Sequence, residues 1–159
     1  MSLVIELTKP TSLIVSINCF NSFTYILQPQ VILVATGSEV SLAVEALEHL
    51  KDLRVRVVSF PSWELFREQS IDYQSSVFPD GVPILAIEAA STVGWREYSH
   101  GCIGMHTFGA SAPYKKVFEK FGITSQAINE KARKLIQFYS DSKMFPHGAP
   151  SVVKRAFYD

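Results

Sequence analysis

Residues 31–47 read VILVATGSEVSLAVEAL: an unbroken apolar run, a single glycine, then apolar residues three and four apart. A run that is apolar at every position marks a strand whose two faces are both covered, as in a parallel sheet. Val40, Ala43, Val44, Leu47 and Leu50 then share one side of a helix from about Ser38 to Asp52, with Glu45, Glu48 and Lys51 elsewhere. Thr36 or Ser38 can accept a bond from the first-turn amides, and Thr36 with Glu39 has capping-box spacing.

The pattern repeats downstream. Arg54 to Phe60 reads as a second strand, closed by Pro61, which has no amide to give a ladder. Trp63, Leu65 and Phe66 sit in a polar frame, and Ile71 to Phe78 forms a helical turn or two before the Pro79-Asp80-Gly81 turn. Pro83 to Ala89 is a third buried strand, with Glu88 near its carboxyl end. A short helix over Thr92 to Ser99, a fourth strand over Cys102 to Phe108 and a helix over Pro113 to Phe121, closed by Gly122, follow. A final helix begins near Thr124 and sets Ile128, Ala132, Leu135, Ile136 and Tyr139 on one stripe. Such alternation specifies an open, mainly parallel sheet with helices on both faces.

Upstream, Ser12 to Leu27 is apolar but broken by Asn18, Asn21 and Ser22, so it reads as a strand pair rather than a membrane helix or secretory leader.

Composition narrows the class. At 159 residues, 47% hydrophobic and 19% charged, the chain is sized for one globular domain. Fifteen basic and fifteen acidic residues cancel, leaving no cationic excess for a nucleic-acid backbone. Cys19 and Cys102 are too few for a disulfide framework, and free thiols point to the cytoplasm. A near-neutral surface favours association of copies.

Three places hold candidate chemistry. The turn Thr36-Gly37-Ser38 can offer amides and a helix dipole to an anion, yet it has neither a GxGxxG fingerprint nor a Walker loop, and capping alone accounts for it. Glu88 and His100 form a possible sheet-edge acid–base pair, set against the reading that buried carboxylates anchor backbone or a neighbouring domain. His100, Cys102 and His106 stand at even spacing, but Gly101 and Gly104 interrupt them and a fourth zinc ligand is not evident. Ser91 lies outside any GxSxG frame, which leaves a hydrolase little support.

Taken in order, VILVATGSEVSLAVEAL, RVVSFPSWELF at Arg56 to Phe66, and VGWREYSHGCIGMHTFGASAPYKKVFEKFGIT at Val93 to Thr124 resemble the carboxy-terminal domain of transketolase. The resemblance runs over residues 23–140; residues 1–22 are a non-matching extension and 141–159 a tail. It implies a three-layer α/β/α sandwich around a five-stranded, mostly parallel sheet with one antiparallel strand. It also implies a whole enzyme that moves a two-carbon ketol unit between sugar phosphates of the pentose phosphate pathway, using thiamine diphosphate and magnesium held between two preceding domains. Those domains, and a second copy, are then the expected partners, with no nucleic acid and no membrane. The chain has no GDG-type metal and diphosphate motif, since Pro79-Asp80-Gly81 is only a turn, and no region carrying the family's activating glutamate. No catalytic or cofactor-binding residue transfers to it. The expectation is an isolated chain that is inactive, binds no cofactor or metal itself, and serves structure, dimer assembly or regulation. A small-anion or sugar-phosphate module at Gly37 and Ser38 is the alternative.

Overall fold

In this computed structural model the described residues, 28–146 in full and 3–7 and 15–19 as backbone, form a six-stranded sheet between two helical layers. The elements are β1 (Leu3–Leu7), β2 (Val15–Cys19), β3 (Val31–Ala35), α1 (Glu39–Ala46), β4 (Val55–Ser59), α2 (Trp63–Arg67), α3 (Ile71–Val77), β5 (Ile84–Ser91), β6 (Gly101–Met105), α4 (Tyr114–Phe121) and α5 (Ser125–Ser142). Short 3-10 segments lie at Leu47–His49 and Gly94–Glu97, the second in place of the short helix expected over Thr92 to Ser99.

The strand order is β1-β2-β4-β3-β5-β6. Strands β4, β3, β5 and β6 pair in parallel, as their apolar sequences require. Strand β2 is antiparallel to both β4 and β1, so it alone of the described strands runs against the rest. The expected count of five therefore becomes six. The physical cause is an edge: the backbone amides and carbonyls on the outer side of β4 pair with β2, and β1 pairs in turn with β2. Of the strand pair expected within Ser12 to Leu27, Val15–Cys19 is one strand, and its outer partner is Leu3–Leu7. Residues 20–27 lie outside the described ones.

Alternation along β3 sorts the core into two halves. Val31, Leu33 and Ala35 face one side with Val55, Val57, Leu85, Ile87 and the stripes of α1 and α5. Ile32 and Val34 face the other with Val58, Ile84 and a knot of aromatics in which Phe60 meets Phe66, Phe78 and Tyr98 edge to face. Burying each such aliphatic or phenyl side chain contributes roughly 1.5–3 kcal/mol, which is why neither helical layer can leave the sheet.

Two helix boundaries differ from expectation. The helix expected to reach Asp52 ends at Ala46 and tightens into the Leu47–His49 segment, where the Leu50 amide bonds the Leu47 carbonyl at 3.1 Å. The expected caps give way to backbone bonding: the Glu39 amide donates to the Thr36 carbonyl at 3.2 Å, and Ser38, the residue before the helix, is itself helical at φ −67 and ψ −26, so its hydroxyl caps no first-turn amide. Where the residue before the helix is extended, capping works. Thr124 Oγ1 accepts the Ala127 amide at 3.2 Å and starts α5, while Gly122 at φ 68 closes α4.

Candidate functional site

The Gly37 turn joins β3 to α1 in a left-handed conformation, φ 53, that glycine takes without strain. Its nearest carboxylate is internal. Glu39 is buried, its Oε1 accepts the Ser38 hydroxyl at 3.1 Å, and its Oε2 stands 3.8 Å from where a Cβ on Gly37 would be. An acid thus already lies over the turn at the positive end of the helix. Beside it, Ser38, Ser41, Glu45, Lys115 and Ser125 line a cleft of about 420 Å³, in which Glu45 accepts the Ser125 hydroxyl at 3.1 Å.

The structure does not bring Glu88 and His100 together. His100 precedes β6 and closes on the amino end of β5: its Nδ1 accepts the Ile84 amide at 2.9 Å, and its own amide donates to the Ile84 carbonyl at 2.8 Å. Its ring meets Tyr139 edge to face, centroids 5.5 Å apart. Glu88 lies further along the same strand, and four residues of extended chain set it roughly 13 Å beyond Ile84. There its Oε2 accepts the indole N–H of Trp95 at 3.0 Å.

Cys102 is half-buried against the aromatic side of the core. Burial pushes its thiol up to about 11, with Lys131 pulling down and Glu88 pushing further up. His106 is exposed past the end of β6, far along the chain from the end where His100 is engaged. Among the described residues no three His, Cys, Asp or Glu side chains gather to hold a metal ion. Asp80, in the Pro-Asp-Gly turn, is exposed, and the neighbouring Gly81 amide donates to the Pro146 carbonyl at 2.7 Å. The described residues therefore do not fit a divalent metal with its diphosphate.

One surface was not singled out from the sequence. Beyond the carboxyl ends of β5 and β6, Ser91, Thr92, Val93, Arg96, Met105 and Phe108 border a hollow of about 510 Å³. Its shape comes from an irregularity in β5: Ile87 pairs with Ile103, but the next pair is Ser91 with Met105. Gly104 makes this possible, because a Cβ there would stand 2.5 Å from Thr92 Cγ2 and 2.9 Å from the Glu88 carbonyl. Sequence carried a faint signal for it, the glycine inside a strand pattern.

Residues 22–124 match the family model described as the transketolase-like TK C-terminal domain. The chain belongs to the transketolase family. It is 43% identical over 133 residues to a probable transketolase of Schizosaccharomyces pombe, spanning 82% of this chain and 19% of that one. It is 44% identical over 139 residues to Transketolase 1 of Saccharomyces cerevisiae, spanning 84% of this chain and 20% of that one. The solved transketolase from Leishmania mexicana superposes with a TM-score of 0.69 at 46% identity, covering 72% of this chain and 17% of that one. The chain therefore spans about a fifth of the length of the transketolases it matches, and the matched fifth is the carboxy-terminal domain.

Proposed function

We propose that the chain is the non-catalytic carboxy-terminal domain of a cytoplasmic transketolase: it packs on thiamine diphosphate-binding domains and supports assembly of their dimer, while ketol transfer between sugar phosphates takes place on those domains. One observation carries the reading. Three of the candidate groups are spent on internal structure, each in a different place: Glu88 on Trp95, His100 on Ile84, and Cys102 half-buried against the aromatic side of the core. Catalysis needs an acid, a base or a nucleophile converging on one point, and these do not converge. Glu39 over the Gly37 turn likewise occupies the position that a small anion would need.

The test is a chimera of S. cerevisiae Transketolase 1 in which this chain replaces the stretch it aligns with. The expected result is a folded dimer that transfers ketol units at a rate comparable with its parent. A folded chimera that binds thiamine diphosphate yet neither dimerises nor turns over would overturn the reading.

A further inference from the structure

The carboxyl-end surface has the makings of an interface. Phe108 is 98% exposed and Val93 is 78% exposed, values for large apolar side chains that a free surface does not favour. They do not stand on a loose segment of sequence alone. Val93 leads into the Gly94–Glu97 turn, which is held from behind by three things: Trp95 is buried, its indole bonds Glu88 at 3.0 Å, and Trp63 packs so closely on Gly94 that an added Cβ would lie 2.2 Å from its ring. Phe108 follows β6, whose Gly104 nests against the Glu88 and Ala90 carbonyls. Between Val93 and Phe108 lies the 510 Å³ hollow, with Arg96 on its rim. From His106 to Lys116 every residue is exposed, including Ala110, Ala112, Pro113 and Tyr114. The result is an apolar centre backed by buried side chains, with Arg96 at its edge.

We infer that this surface, centred on Val93 and Phe108 and continuing through His106–Lys116, is where the domain seats on the cofactor-binding part of transketolase, on a partner face that is apolar at its centre and carries carboxylates opposite Arg96. The inference rests on the function proposed above. Two observations favour that occupant. The matched relatives are about five times as long as the segment aligned, so most of each lies outside this domain and must contact it somewhere. A small ligand in the hollow would leave the outward ring of Phe108 and the whole of His106–Lys116 in water, whereas a domain face covers them together.

Backbone hydrogen exchange tests it, comparing the isolated 159-residue chain with the S. cerevisiae chimera. In the chimera, amides of residues 106–112 should exchange at least about tenfold more slowly than in the isolated chain, as burial at an interface requires. Phe108→Glu should restore fast exchange there, while Phe138→Glu, an exposed position on α5, should not. Equal exchange in an active chimera and in the isolated chain would overturn the inference and leave the proposed function standing. Slow exchange already present in the isolated chain, and lost on dilution, would overturn it in favour of a second copy. An inactive chimera with slow exchange at 106–112 would support the docking surface while counting against the proposed function.

Discussion

The indole Nε1 of Trp95 donates to Oε2 of Glu88 across 3.0 Å, tying the turn after β5 back to the strand that precedes it. Trp95 is buried, so its N–H has no water to turn to once the carboxylate is gone. Glu88→Ala should cost about 1–3 kcal/mol in denaturant unfolding. Glu88→Gln keeps an accepting oxygen and should cost less than half of that. An equal loss for both would show that the charge, and not the hydrogen bond, matters at this position.

Gly104→Ala should destabilise the chain by roughly 2–3 kcal/mol, as overpacking against backbone does. The new methyl would meet the Glu88 carbonyl at 2.9 Å and the Ala90 carbonyl at 3.1 Å, neither of which can swing aside as a side chain can. Gly109→Ala is the control, since its nearest neighbour is the flexible Met105 methyl at 3.7 Å. Thermal unfolding of the two variants should separate them clearly.

Arg133 links α5 to the loop after α1 through two bonds to the Asp52 carboxylate, at 2.8 and 2.6 Å. The side-chain bond from Arg133, first, and then a backbone bond hold the Asp52 carboxyl down from 3.8 to about 2. Because the folded value is the lower one, the stabilisation is present above about pH 4 and fades as pH falls toward 2. An NMR titration should place the Asp52 midpoint near the lower value, and Arg133→Met should return it toward 3.8. An unchanged midpoint in that variant would refute the assignment.

The Cys102 thiol, raised to about 11 mainly by burial, should react slowly with iodoacetamide in the native chain at pH 8. In a Cys19→Ser background, its rate should climb steadily as pH approaches that value, and denaturant should accelerate it at once. Fast native alkylation would contradict the burial.

Much of this architecture is legible in the residues. The apolar run at Val31–Ala35, the stripe on the last helix and Gly122 state their roles locally, because a covered strand, an amphipathic helix and a left-handed cap each have a one-dimensional pattern. The site was less legible, for a reason visible in His100. Its spacing to Cys102 and His106 is read from the chain, but which end of β5 it closes on is set by the parallel pairing of β5 and β6. Glu88 is similar: a strand-end acid looks reactive until the fold turns Trp95 back onto it. Ser38 shows a smaller failure of the same kind, since capping depends on its backbone angles and not on its hydroxyl. The sixth strand was hidden because Leu3–Leu7 has meaning only beside Val15–Cys19.

The proposed function puts thiamine diphosphate on domains other than this one. Calorimetry of thiamine diphosphate with magnesium into the purified 159-residue chain, followed by a ketol-transfer assay on sugar phosphates, decides the matter. No binding heat and no turnover are expected; saturable binding of the cofactor with transfer at the rate of a whole transketolase would refute the proposed function.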